Sequence, residues 1–275
     1  MYVSCSCLVC AQHEYPTIQD AISKIADLGF AALDLDAFEN WQHVNPSTLV
    51  GSDGSWEQHF VEAVAASGMT VSSLNCGPST KIVDPNPDAF TRYKREYTAL
   101  LDLAQRMACP NITLQPGGKP EGVPLGESLD TLIGHARQLS ALNEGRDVTL
   151  SIEGHQASVI EKPRDALRMV NELWPAVGFT YDPSHFVMQE IALPDTEPLL
   201  DCTLHVHARN ASSAKMQDTM ADGTVDFAWL VSALRRHGFD GALTIEYFAG
   251  FDPDFTSTLA LRDHLIELGV AAKPH

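Results

Sequence analysis

Basic residues are scarce in this chain: 18 Lys and Arg stand against 36 Asp and Glu, a formal net charge of −18. A surface that acidic repels phosphate backbones and anionic lipid, which argues against nucleic acid and membrane surfaces as partners. Long apolar runs are missing too, and none approaches the roughly 20 residues of a membrane-spanning helix. No basic segment precedes the N-terminal apolar stretch, so the expectation is a soluble cytoplasmic protein without a secretory leader. Cysteine is limited to six residues. Cys5, Cys7 and Cys10 form a C-x-C-x2-C run, but no partner Cys/His pair follows at zinc spacing. They read as small buried hydrophobes kept reduced. There is no G-x-G-x-x-G after the first apolar run, which argues against a dinucleotide-binding doubly wound sheet. No Pro/Ser-rich linker or low-complexity tract divides residues 1–275, so one domain is expected.

What is present is regular. A chain of 275 residues that is 44% hydrophobic and 20% charged has the composition of an ordinary globular protein. Runs of β-type composition at 2–9, 31–37, 70–76, 111–115, 148–153, 178–182, 203–207 and 242–246 alternate with helical stretches. Those helices are predicted at 17–28, 56–67, 89–107, 128–144, 164–173, 195–200 (the weakest), 227–237 and 257–268. Gly29, Gly68 and Gly238 mark helix ends, where positive φ is needed. Eight strand–helix units in one domain close most simply into a single (β/α)8 TIM barrel of the α/β class, which needs roughly 250 residues.

The last four strands end alike. They read Thr149-Leu150-Ser151-Ile152-Glu153, Gly178-Phe179-Thr180-Tyr181-Asp182, Thr203-Leu204-His205-Val206-His207 and Ala242-Leu243-Thr244-Ile245-Glu246. Residues one and three before the terminal one are large and apolar; residues two and four before it are small or polar. Because successive side chains on a strand point to opposite faces, the first set faces the helices and the second faces the barrel interior. Glu153, Asp182, His207 and Glu246 are thereby delivered to the C-terminal mouth, where barrel active sites are built. Three carboxylates and an imidazole form an oxygen-rich set suited to one divalent cation, Mn2+ first, with Mg2+, Co2+ or Zn2+ as alternatives. A cation there polarises the carbonyl of an α-hydroxy ketone, and neighbouring carboxylates move the adjacent proton.

These residues resemble a known family. Ser151-Ile152-Glu153-Gly154-His155, Tyr181-Asp182-Pro183-Ser184-His185, His205-Val206-His207-Ala208-Arg209-Asn210 and Thr244-Ile245-Glu246 are similar to the signature of the xylose isomerase-like TIM barrel superfamily. The likeness is to its sugar phosphate isomerase/epimerase branch. The segment Asp222-Gly223-Thr224-Val225-Asp226-Phe227 also resembles that family's loop after the seventh strand. The resemblance implies that Glu153, Asp182, His207 and Glu246 hold the metal and that Glu153 and Glu246 are the acid/base pair. It further implies that His185 bonds a substrate oxygen. Ser213 stands where ketose 3-epimerases carry arginine. Asn75 and Gln115 end the third and fourth strands, where the trinuclear endonuclease relatives have histidine.

His155, two residues past Glu153, and Arg209 are further substrate-binding candidates, Arg209 equally as a surface ion pair. His205 reads as a hydrogen-bonded interior histidine. Asp34 and Asp36 share inward parity on strand two, while Asn75 and Gln115 read as ordinary strand-end polar residues. Trp41, Trp56, Trp174 and Trp229 read as core, Trp41 being the one placed to cover the mouth. Residues 38–55 form a polar loop suited to a lid. The expected enzyme is a metal-dependent isomerase or epimerase of a keto sugar or related hydroxy-carbonyl compound. The alternative is a lyase of an inosose or keto-glycoside. A small carbohydrate-like molecule is the expected partner, and a homo-oligomer is compatible with the sequence.

Overall fold

The computed structural model describes every residue except Ala11, Gln42 and His275, and not the side chain of Trp56. The core assignment of Trp56 therefore lies outside the described residues. Eight parallel strands close in sequence order into a barrel: β1 Tyr2–Ser6, β2 Ala32–Phe38, β3 Thr70–Gly77, β4 Asn111–Leu114, β5 Thr149–Glu153, β6 Gly178–Tyr181, β7 Thr203–Ala208 and β8 Ala242–Ile245. The helices are α1 Ile18–Asp27, α2 Pro46–Leu49, α3 Ser55–Ser67, α4 Pro87–Arg106, α5 Leu125–Ser140, α6 Pro163–Leu173, α7 Pro183–Val187, α8 Phe227–Arg236 and α9 Thr256–Glu267. The weak sixth crossover is a 3-10 helix, Leu193–Cys202, with Pro198 inside it; proline there leaves one backbone acceptor unpaired and favours the tighter helix.

Parity sorts the strands as expected. Leu150, Ile152, Phe179, Tyr181, Val206, Leu243 and Ile245 are buried against the helical layer. The interior is not filled by the branched aliphatic residues usual in such barrels. It is a hydrogen-bonded polar network. Asp34 accepts bonds from Ser72 Oγ at 2.6 Å and Thr244 Oγ1 at 3.0 Å, and pairs with His205 Nε2 at 2.6 Å. Asn111 donates to Ser73 and Ser151, each at 3.0 Å, and Thr180 Oγ1 lies 2.6 Å from Ser151 Oγ. Small side chains let these groups satisfy one another, which is the condition for burying them cheaply.

Three expectations are corrected. The first strand stops at Ser6, and Cys7–Val9 form a 3-10 turn whose N-terminus is capped by the Ser6 hydroxyl. Segment 38–55 is not an open polar lid: it contains α2, and Val44 and Leu49 are buried within it. Trp174 is 44% exposed and so is not core, whereas Trp229 is partly buried against the core. All six cysteines are free, and Cys5, Cys7 and Cys10 are buried as read.

Candidate active site

Each residue marked by parity stands where its strand meets the mouth. Glu153 ends β5, Asp182 and Glu246 directly follow β6 and β8, and His207 is the penultimate residue of β7. All four are buried, and their donor atoms lie within 4.8 Å of one another. His207 Nδ1 sits 2.8 Å from Glu153 Oε1 and 3.5 Å from Glu246 Oε1. Asp182 also caps α7: its Oδ1 accepts the Ser184 N–H at 2.8 Å, with Pro183 opening the helix. An Asp-Pro pair is a helix-start signal, and it fixes this carboxylate by local backbone geometry.

The surrounding shell is ordered. Asn75 Nδ2 donates to Glu246 Oε1 at 2.9 Å, and Gln115 Nε2 donates to Glu153 Oε2. Two amides that read as ordinary strand-end residues thus hold the two glutamates. Behind His207, Nε2 faces Asp34 Oδ2 at 3.5 Å without a hydrogen bond. A carboxylate placed behind an imidazole orients it and raises its basicity as a ligand. Asp36 instead accepts a bond from Ser6 Oγ at 2.8 Å, and neither aspartate lines the cavity above.

Arg209 is not a surface residue. Its guanidinium donates to Asp182 Oδ2 at 2.6 Å, Ser184 Oγ at 2.9 Å and His185 Nε2 at 3.0 Å, and pairs with Glu246 Oε2 at 2.9 Å. Burial pushes the His185 pKa down to about 3, so the ring is neutral; its Nδ1 has no partner. His155 is half-buried with its ring 4.0 Å from that of His185, and its Nδ1 lies 2.7 Å from the Gln156 carbonyl. The two glutamates are driven apart electrostatically. Burial raises Glu246, and Glu153 and Asp182 add to this against His207 and Arg209. Burial works to raise Glu153, yet the charge and hydrogen bond of His207, together with His155 and His185, hold it well below the usual range.

The donor set fits one divalent cation. With all three carboxylates ionised and His207 neutral, as metal ligation requires, Glu153, Asp182 and Glu246 against Arg209 carry a net charge of two negatives, which a single dication would neutralise. Burial works against a charge on His207, yet Glu246 and Glu153 still raise its pKa well above the usual range; the cluster draws positive charge. A second group, Asp34 with His205 and His207, is internally bonded beneath it, and a third, Glu153 with His155 and His185, shares one carboxylate with the first.

Over the cluster opens a cavity of about 290 Å3. Its polar side comprises Asn75, Gln115, Glu153, His155, Arg209 and Glu246, and its other side Leu8, Phe38, Trp41, Met216 and Phe248. Of the apolar side, Trp41 was read as placed to cover the mouth and does line the cavity; Leu8, Phe38, Met216 and Phe248 escaped the sequence reading, although Phe38 and Phe248 lie two residues past Asp36 and Glu246. The same parity that found His155 extends to them.

The family model described as xylose isomerase-like TIM barrel matches residues 22–265. The chain belongs to that family. Among curated proteins no sequence relative matches this xylose isomerase-like barrel. Solved structures that resemble it include the 3-keto-D-glucoside 4-epimerase of E. coli, at 17% identity and TM-score 0.76, with 98% of this chain and 99% of that chain covered. A D-tagatose 3-epimerase-like protein matches at 17% identity, TM-score 0.78 and 98% of each chain. The IOLI protein, solved with a bound zinc atom, matches at 13% identity, TM-score 0.74 and 98% of each chain. At these identities the likeness is one of fold. Among the described residues, no helix of this barrel is long and apolar enough to cross a membrane.

Proposed function

We infer that this chain is a divalent-metal-dependent isomerase or epimerase of a keto sugar or related hydroxy-carbonyl compound. The observation that carries the reading is the pairing of Glu153 and Glu246 in one buried cluster with Asp182 and His207, directly beneath a cavity of about 290 Å3. Solved structures of the same fold, one named as a 3-keto-D-glucoside 4-epimerase and one as a D-tagatose 3-epimerase-like protein, support it. Glu153, Asp182, His207 and Glu246 would hold the ion, which when bound supplies Lewis-acid polarisation of the substrate carbonyl. One glutamate of the pair Glu153 and Glu246 would take the proton next to that carbonyl, its C–H electron pair moving toward the carbonyl oxygen, and the other would return a proton to the same carbon. Gln115 and Asn75 fix the two side chains, and His185, which the family resemblance gives to a substrate oxygen, lies buried beside Arg209 with Nδ1 unpartnered.

The test is to incubate Mn2+-loaded protein with ketoses and keto-glycosides in D2O and follow mass and stereochemistry. The expected result is one solvent deuterium incorporated beside the carbonyl with the skeleton retained. Glu246→Gln should slow turnover by about 10^2–10^4-fold, the usual worth of a positioned acid or base. Loss of water from the product would replace this reading with the lyase. No exchange together with no bound Mn2+ would leave a non-catalytic sugar-binding barrel.

A further inference from the structure

The cavity above the carboxylate cluster has two unlike walls, and the apolar one contains its most unusual residue. Trp41 lies in the turn three residues past the end of β2 and is 48% exposed, more than any other large hydrophobic side chain among the described residues. It is nonetheless braced: its ring meets Phe38 edge-on with centroids 5.2 Å apart, and Phe248 likewise at 5.6 Å. A fixed aromatic surface left open to water at the rim of a polar site is a platform that an occupant is expected to cover.

Charge restricts that occupant. Arg209 is the one basic side chain among the described residues lining the cavity apart from the histidine at 155. Its guanidinium is already committed to Asp182, Glu246, Ser184 and His185. A phosphate or carboxylate on the substrate finds no uncommitted Lys or Arg among the described residues lining this cavity. Size restricts it further. About 290 Å3 lies at the lower limit of small-molecule pockets, so one sugar-sized body fills it.

Shape then decides between the two forms a keto sugar can take. A chair-form ring presents a continuous face of C–H groups, weakly positive and complementary to the negative face of an indole. Its hydroxyls project from the edges, toward a wall of amides, carboxylates and histidine. An open-chain ketose turns hydroxyls to every side, and those pressed against Trp41 and Phe248 lose water without gaining a partner, which weakens its binding. We propose that the substrate is an uncharged, ring-closed keto sugar or cyclic polyol ketone whose C–H face lies on Trp41 and whose hydroxyl edge meets the carboxylate floor. This rests on reading the cluster as a keto-sugar site and narrows it to one substrate class, in which the proton moved belongs to a ring carbon.

The experiment measures binding to Mg2+-loaded protein by calorimetry and saturation-transfer NMR. Three probes are used: methyl β-D-glucopyranoside, the open-chain polyol D-glucitol, and D-glucose 6-phosphate. The glycoside is expected to bind at least tenfold more tightly than either of the others. Trp41→Ala should lose that tenfold preference and Trp41→Phe should restore most of it. Mn2+ affinity, read by electron paramagnetic resonance, should be the same in both variants as in the parent, which also shows that they are folded. Equal or tighter binding of D-glucitol or the phosphate, or a glycoside affinity indifferent to Trp41→Ala, overturns the proposal. A ring preference that persists in a protein binding no Mn2+ sinks the metal-enzyme reading while leaving the ring selectivity standing. Deuterium exchange with open-chain ketoses alone does the reverse.

Discussion

Arg209 carries a charge that no pH within the folding range removes, and the barrel has placed it among the groups proposed to bind metal. Two cations that compensate the same carboxylates oppose one another, since each is worth less when the other is present. Arg209→Met should therefore destabilise the metal-free protein by about 3–5 kcal/mol in urea denaturation, because Asp182 and Glu246 are left uncompensated. Saturating Mn2+ should recover part of that loss, so that its stabilising shift is larger in the variant than in the parent. A smaller shift would mean that Arg209 positions the carboxylates for the ion rather than sharing them with it. The clustering of Glu153, Asp182, His207 and Glu246 was legible in the sequence because each stands at or just past the end of its strand with the same parity. Their supports were not. Asn75 reaches Glu246, and His205 reaches Asp34, across 171 residues of sequence; no local pattern encodes a contact across a barrel.

Strand and helix positions were legible because both periodicities are strong here, and boundaries were missed where capping chemistry decides them. The Ser6 hydroxyl turns the chain into a 3-10 helix where composition continues to look like strand. The Asp182-Pro183 start of α7 was hidden because Asp182 was read as a ligand alone, when it is both ligand candidate and cap. One contact between elements has a clear pH signature. His237, at the end of α8, lies 2.6 Å from Asp201 and 3.2 Å from Glu197 in the 3-10 helix Leu193–Cys202. Its hydrogen bonds to Asp201 raise its pKa, with Glu197 adding to the effect against partial burial. A raised histidine pKa stabilises the fold where the ring is protonated. That contribution is complete below the usual value of about 6.5 and lost as pH rises through the elevated one. His237→Gln should accordingly cost up to about 1 kcal/mol near pH 5.5 and almost nothing at pH 9. Thermal melts of parent and variant across that range check it, and a constant difference would assign the residue to packing alone.

Across the whole molecule, the family's barrel and the −18 charge bear together on the proposed metal binding. A protein this acidic draws cations toward itself, and the buried cluster adds a local demand for two positive charges. Removing divalent ions with a chelator should lower the melting temperature. Restoring Mn2+ at a hundredfold excess over its Kd should add about 2.7 kcal/mol of stability. A melting curve indifferent to chelator and metal would refute the site. Overall architecture was the most legible level, since eight alternating units leave few ways to close.

The polar network along the barrel axis has an effect on how the molecule can change. Asp34 with Ser72 and Thr244, and Asn111 with Ser151 and Thr180, form two hydrogen-bonded sets where such barrels normally pack valine and isoleucine. A saturation mutagenesis map of this protein would therefore look inverted: aliphatic residues, welcome in most cores, would be the damaging ones along the axis. Tolerance would concentrate instead at Phe38, Trp41 and Phe248, so that new substrates are reached by redecorating the rim while the hydroxyl-lined shaft beneath it stays fixed.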